Sequence, residues 1–170
     1  MKRFYLLAAL ILGLTLSGCK ETPESKTLPP VIFEIIITDS DGNIIVEQDG
    51  GDEIIKNMLS IEWHEHISSV KEEGDELEFI RIGDKYLAEL APFIGRLFDN
   101  PKTVYCGLFY PEDNYRDETF KLIWNDGTTD IVKFSTYVDE KIGFSFSATI
   151  NGIPLDVEDK HLPIIHKTLN

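Results

Sequence analysis

Beyond residue 30, apolar residues recur at every second position over most of the chain, the period of strands with one face buried. Val31 to Thr38 is dense in β-branched residues, and Asp39-Ser40-Asp41-Gly42-Asn43 brings turn chemistry before Ile44-Ile45-Val46. Asp41-Gly42 is a hairpin signal, because glycine takes positive φ at no steric cost. Ser60 to Ile67 alternates as one strand, with Ile61, Trp63 and Ile67 on one face and Glu62, His64 and His66 on the other. Leu77 to Ile82 predicts a short strand after the acidic turn Lys71 to Glu76, and Thr103 to Tyr110 a longer one. Thr119 to Trp124 and Thr129 to Phe134 flank Asn125-Asp126-Gly127-Thr128 and form the clearest predicted hairpin. Gly143 to Ile150 sets Phe144, Phe146, Ala148 and Ile150 against Gly143, Ser145, Ser147 and Thr149, ending at Asn151-Gly152. Only Tyr86 to Phe98 has helical spacing, in Leu87, Leu90, Ala91, Ile94 and Leu97. Pro92 weakens that helix, so a short helix and an irregular crossover both remain open.

About seven to nine short strands separated by turns predict a mainly β fold. The expected architecture is an antiparallel, immunoglobulin-like β-sandwich with at most one or two short helices. Trp63 and Trp124 sit inside predicted strands and are expected in the core. Cys106, between Val104 and Leu108, is expected as a buried free thiol.

The N-terminus departs from this pattern. Lys2 and Arg3 precede an almost unbroken apolar run from Phe4 to Leu16, and Ser17, Gly18 and Cys19 follow. That order is the order of a secretory signal, and the run is shorter than the roughly 18 residues a spanning helix needs. Residues 20 to 30, Lys-Glu-Thr-Pro-Glu-Ser-Lys-Thr-Leu-Pro-Pro, are polar and proline-rich and read as an extended tether. The expected organisation is a signal peptide at 1–18, an anchor and tether at 19–30, and a single β-rich domain at 31–170.

Charge narrows the function. With 30 acidic against 16 basic residues the formal charge is −14, and loss of Lys2 and Arg3 with the leader takes it to −16. Nucleic acid is not an expected partner, since neutralising phosphates takes clustered lysine and arginine. Basic partners are favoured at low salt. No serine-nucleophile elbow and no nucleotide-binding glycine loop is present.

Three patterns bear on chemistry. His64 and His66, two apart on a strand, share a face with Glu62, and such a set holds zinc if a neighbouring strand supplies another ligand. The plain alternative is the wet face of an amphipathic strand. His161 and His166 are further candidates that nothing in the sequence brings near. Asp39 to Asn43 has oxygen ligands at alternate positions, as a calcium loop does, but the loop is incomplete and reads as a plain turn. Ile44 stands where the glycine belongs and Gly50 where the glutamate belongs. Tyr105, Phe109, Tyr110 and Tyr115 make Thr103 to Arg116 aromatic-rich. They suit either an exposed loop that stacks on sugars or proteins, or rings that complete the core.

Leu16-Ser17-Gly18-Cys19 resembles the lipobox of bacterial lipoproteins. The resemblance implies diacylglycerol on the Cys19 sulfur, cleavage before Cys19 and acylation of the freed amine. Lys20, where an aspartate favours inner-membrane retention in enteric bacteria, leans towards the outer membrane. Together with the tether, Thr38-Asp39-Ser40-Asp41-Gly42-Asn43 and the Phe120-to-Asp130 hairpin, it resembles small cell-envelope lipoproteins of Bacteroides-type bacteria. That resemblance implies a sandwich and assigns no residue a role except Cys19, and no cofactor beyond the covalent lipid. Two functions follow as expectations. One is a lipid-anchored, non-catalytic module that binds an envelope protein or glycan. The other is a metal-dependent hydrolase of envelope polymers using His64 and His66.

Overall fold

The computed structural model describes residues 28–71, 75, 80–82, 85–87, 91–96, 101–139, 143–155, 157 and 162–169. Cys19, most of the tether and His161 lie outside the described residues.

The fold is a β-sandwich. Among the described residues there are twelve strands, more than the alternation predicts. They are β1 (Val31–Thr38), β2 (Leu59–Trp63), β3 (His66–Ser69), β4 (Ile80–Ile82), β5 (Lys85–Leu87) and β6 (Phe93–Gly95). The rest are β7 (Thr103–Phe109), β8 (Glu118–Trp124), β9 (Thr129–Asp139), β10 (Gly143–Ile150), β11 (Ile153–Pro154) and β12 (Ile164–Thr168). One α-helix, α1 (Gly51–Met58), and two 3-10 turns, Ile45–Glu47 and Pro111–Asp113, complete the described elements. A four-stranded sheet runs β12-β1-β7-β6 and a six-stranded sheet runs β11-β10-β9-β8-β2-β3, with β4 and β5 as a separate hairpin.

The inward faces of the two sheets meet in one apolar core. Phe33 on β1 sets its ring 5.0 Å from Phe120 on β8 and 5.5 Å from Phe134 on β9. Phe109 on β7 reaches Phe134 at 4.4 Å and Trp63 on β2 at 5.8 Å. Trp63, Trp124 and Cys106 are buried, as expected, and burial pushes the Cys106 thiol well above its ordinary range. The inward residues of β8 and β9 (Phe120, Leu122, Val132 and Phe134) follow the predicted alternation.

Four expectations are corrected. Ile44 to Val46 is not a strand. Thr38 and Ile44 form a single antiparallel bridge, and the chain then winds into a 3-10 turn and α1. Gly51 explains why: a Cβ there would lie 1.8 Å from the Ile45 carbonyl oxygen, so glycine alone permits this close return. The turn also lets the adjacent Ile45 and Val46 both bury, which strand alternation forbids.

Ser60 to Ile67 is two strands, not one. His64 (φ 46°) and Glu65 (φ 67°) form a two-residue hairpin turn, with Glu62 opposite Ile67 and Trp63 opposite His66. The turn reverses the face of everything after it, so Ile67 is 65% exposed rather than buried. In the segment from Tyr86 to Phe98, the described residues include strands β5 and β6 and no helix.

Finally, the sandwich is not wholly antiparallel. β12 lies parallel to β1, from Glu34 opposite Ile164 to Thr38 opposite Thr168. Parallel neighbours need a long crossover, so short-range pattern cannot announce them.

Candidate functional site

β1 gives the sandwich two distinct ends. Val31 stands opposite Phe109, so the end where residues 28–30 lead into β1 also holds the β2–β3 turn, the Pro111–Asp113 turn and the start of β8. Seven residues later, roughly 25 Å along the strand, Thr38 opens the far end. There lie the Asp39–Asn43 turn, α1, the β8–β9 turn and Lys102 at the head of β7.

The expected zinc set is not assembled. Glu62 points outward on β2 and accepts from Lys121 Nζ at 2.6 Å. His64 sits in the turn, with Nε2 3.0 Å from Glu118 Oε2 and its ring edge-on to Trp63 at 4.8 Å. His66 begins β3 on the other arm of the hairpin, and His166 lies on β12 in the opposite sheet. Among the described residues no three histidine, cysteine, aspartate or glutamate side chains gather as a metal site would require. The cause is the turn at His64–Glu65, which ends the single strand on which the three were to share a face.

The aromatic loop is mostly interior. Tyr105, Phe109 and Tyr115 are fully buried, while Tyr110 is half-buried. Gly107 (φ 71°) makes a bulge in which two residues of β7 stand against one of β1, and this returns Phe109 to the core face. Tyr105 faces the other side of its sheet and packs on Phe93 at 5.5 Å. The Tyr115 hydroxyl donates to Asp113 at 3.1 Å, while its backbone exchanges bonds with Thr136. Burial, then the neighbouring Asp113 carboxylate, pushes that phenol above its ordinary range.

Among the described residues, two surfaces stand out as places where something can bind. The first is an open cleft of about 590 Å³ at the far end, between Gln48-Asp49-Gly50-Gly51-Asp52 and the pair Arg96 and Lys102. Lys102 reaches across it to Asp52 Oδ2. An adjoining hollow of about 460 Å³ shares both cations and adds Phe93 and Ile94.

The second is the outer face of the six-stranded sheet. Cross-strand register aligns Thr119, Lys133 and Thr149 in one row, Ser135 and Ser147 in the next, and Tyr137 and Ser145 in a third. Asp117, Lys133, Ser135, Ser147 and Thr149 line a shallow groove there of about 170 Å³. The alternation of Gly143 to Ile150 already marked Ser145, Ser147 and Thr149 as a wet row. Asp117 and Tyr137 carried no such signal, because their place depends on the pairing of β8, β9 and β10.

Between these surfaces Asp130 ties the far end together. It accepts from Trp124 Nε1 at 2.7 Å, from Asn151 Nδ2 at 2.8 Å and from Lys167 Nζ at 2.9 Å. Burial opposes its charge, but the bonds from Asn151, Lys167 and Trp124 outweigh it and hold the carboxyl below its ordinary range.

Comparison of the chain with family models, with curated proteins and with solved structures gives no match.

Proposed function

We propose that this chain is a non-catalytic binding module of the bacterial cell envelope, acylated on Cys19 and held at the outer membrane by its lipid. The single observation that carries the reading is the direction of β1. The tether joins the sandwich at one end, while the open cleft lies about 25 Å away at the other. A domain leashed at Cys19 would thus offer its far end and its broad sheet face to partners. Residues 19–30, fully extended, would let it stand up to about 40 Å from the bilayer. The lipobox Leu16-Ser17-Gly18-Cys19 supports the anchor: two or three acyl chains, at about 0.8 kcal/mol per buried methylene, hold a protein on a bilayer durably. Among the described residues no helix is long and apolar enough to cross a membrane.

The test has two parts, both on the native protein in intact cells. Mass spectrometry of the N-terminal peptide should show a mature chain beginning at an acylated Cys19. An uncleaved or unmodified N-terminus overturns the anchor. Cross-linking in the same cells should capture a defined envelope component, and recovery of the chain alone overturns the binding reading.

A further inference from the structure

We propose that the outer face of the six-stranded sheet docks a neutral polysaccharide, centred on the groove beside Lys133. The proposal rests on the reading of the chain as a binding module and names its ligand class.

Charge is the first argument. The chain carries −14 overall, yet this face is nearly balanced. Lys121 pairs with Glu62 at 2.6 Å, and Lys133 with Asp117 at 3.0 Å. Those two cations and two carboxylates offset each other, and Asp139 beside Tyr137 adds one further carboxylate, so a charged partner finds little net field to match. An uncharged partner meets no penalty.

The second argument is the kind of polar group offered. Around the groove stand the hydroxyls of Thr119, Ser135, Ser147 and Thr149, each both donor and acceptor. Sugar hydroxyls have the same dual character, so each contact can be made in either sense. Asp117 and Lys133 add a fixed acceptor and a fixed donor at one edge of the groove.

The third is a ring in the right setting. Tyr137 follows Ser135 by two residues on β9, on the same face, roughly 7 Å further along the strand. It is 44% exposed, and its hydroxyl leans on Asp139 Oδ2 at 3.3 Å, which braces it. An exposed ring held this way offers an apolar flat to the C–H face of a sugar while its polar end stays wet. The face is six strands wide, roughly 24 Å from edge to edge, so an extended polymer can cross several rows at once.

The experiment is native electrophoresis of the full-length chain in non-ionic detergent, through gels that each contain one polymer. The probes are starch, dextran, laminarin and mannan as neutral polymers, with dextran sulfate as the charged counterpart. At least one neutral polymer should retard the protein and dextran sulfate should not. Tyr137→Ala and Ser147→Glu, both exposed substitutions, should each weaken the retardation by about tenfold. Passage of the protein through every neutral gel overturns the proposal, and so does wild-type retardation of both variants. If no neutral polymer retards the chain while cross-linking in cells captures an envelope protein, the glycan assignment falls and the binding module stands. If both experiments are empty, both fall.

Discussion

Lys167 and Trp124 meet across the two sheets. The ammonium of Lys167 on β12 lies 4.7 Å from the ring centre of Trp124 on β8, and both side chains donate to one carboxylate, Asp130. β12 and β1 form the one parallel strand pair among the described residues, and this clasp binds β12 to the opposite sheet. Asp130→Ala would strand the indole N–H of the buried Trp124 and leave Lys167 without its carboxylate. The expected loss is about 2–3 kcal/mol of stability, read from urea unfolding at pH 7. Lys167→Met keeps the aliphatic stem over the ring and should cost less, about 1 kcal/mol.

The Asp130 clasp also predicts a pH dependence. Its folded-state carboxyl titrates below the unfolded range, so its stabilisation is present above the ordinary carboxylate range and is lost as pH falls through the depressed folded value. The stability gap between wild type and Asp130→Asn should therefore be widest near neutral pH and narrow as the solution is acidified below the ordinary carboxylate range. A gap that is constant with pH would contradict this role.

Glu34 should behave in the opposite sense. It is only 6% exposed on the central strand β1, and burial, slightly offset by His166, raises its carboxyl above the ordinary range. A raised folded value means the favourable contribution is present below the unfolded value and is lost as pH rises through the folded one. Glu34→Gln is expected to raise Tm at neutral pH, with the gain shrinking towards zero near pH 4. Thermal melts of both proteins at several pH values check this, and a gain that grows on acidification refutes it.

Two tryptophans with equal burial should respond unequally to loss of the indole nitrogen. Trp63 is 1% exposed with Nε1 unpartnered among the described residues, whereas Trp124 is 2% exposed with Nε1 bonded to Asp130. Trp→Phe removes ring volume in both, but only at Trp124 does it also abolish a hydrogen bond to a charged group. Trp124→Phe should cost about 1–2 kcal/mol more than Trp63→Phe in chemical denaturation. Equal losses would mean that the Asp130 bond contributes nothing net.

Three glycines rank by what surrounds them. A Cβ at Gly51 meets the Ile45 carbonyl oxygen at 1.8 Å, and one at Gly107 meets the Phe109 ring at 2.2 Å with φ at 71°. Gly127 also has positive φ, 84°, but open space around it. Alanine at Gly127 should cost about 1 kcal/mol, while alanine at Gly51 or Gly107 should cost on the order of 3 kcal/mol or more. Expression yield and melting temperature of the three variants would show the order.

Where the chain could be read correctly, the deciding interactions were local. The β8–β9 hairpin was legible because Asn125-Asp126-Gly127-Thr128 supplies its own turn chemistry and the flanking alternation sets the register. β10 was legible for the same reason, and its outward serines and threonines belong to the proposed glycan surface. The segment from Ser60 to Ile67 misled because its turn, His64–Glu65, holds two left-handed residues without glycine or asparagine, so nothing marked the reversal. One unrecognised turn was enough to undo both the buried place of Ile67 and the shared face of Glu62, His64 and His66. In the aromatic segment, which suited either an exposed loop or rings that complete the core, the bulge at Gly107 decided for the core at Phe109.

Alternation, turn residues and the resemblance of Leu16 to Cys19 to a lipobox are written in consecutive residues, so a mainly β sandwich and the expectation of a lipid anchor follow from the chain alone. Partnership between distant segments is not written that way. The parallel docking of β12 on β1 and the meeting of Lys167, Trp124 and Asp130 join residues whose separation in the chain carries no periodic trace. They arise only when two sheets with complementary inward faces pack and bring those positions together, because burial rewards the whole assembly rather than any one strand.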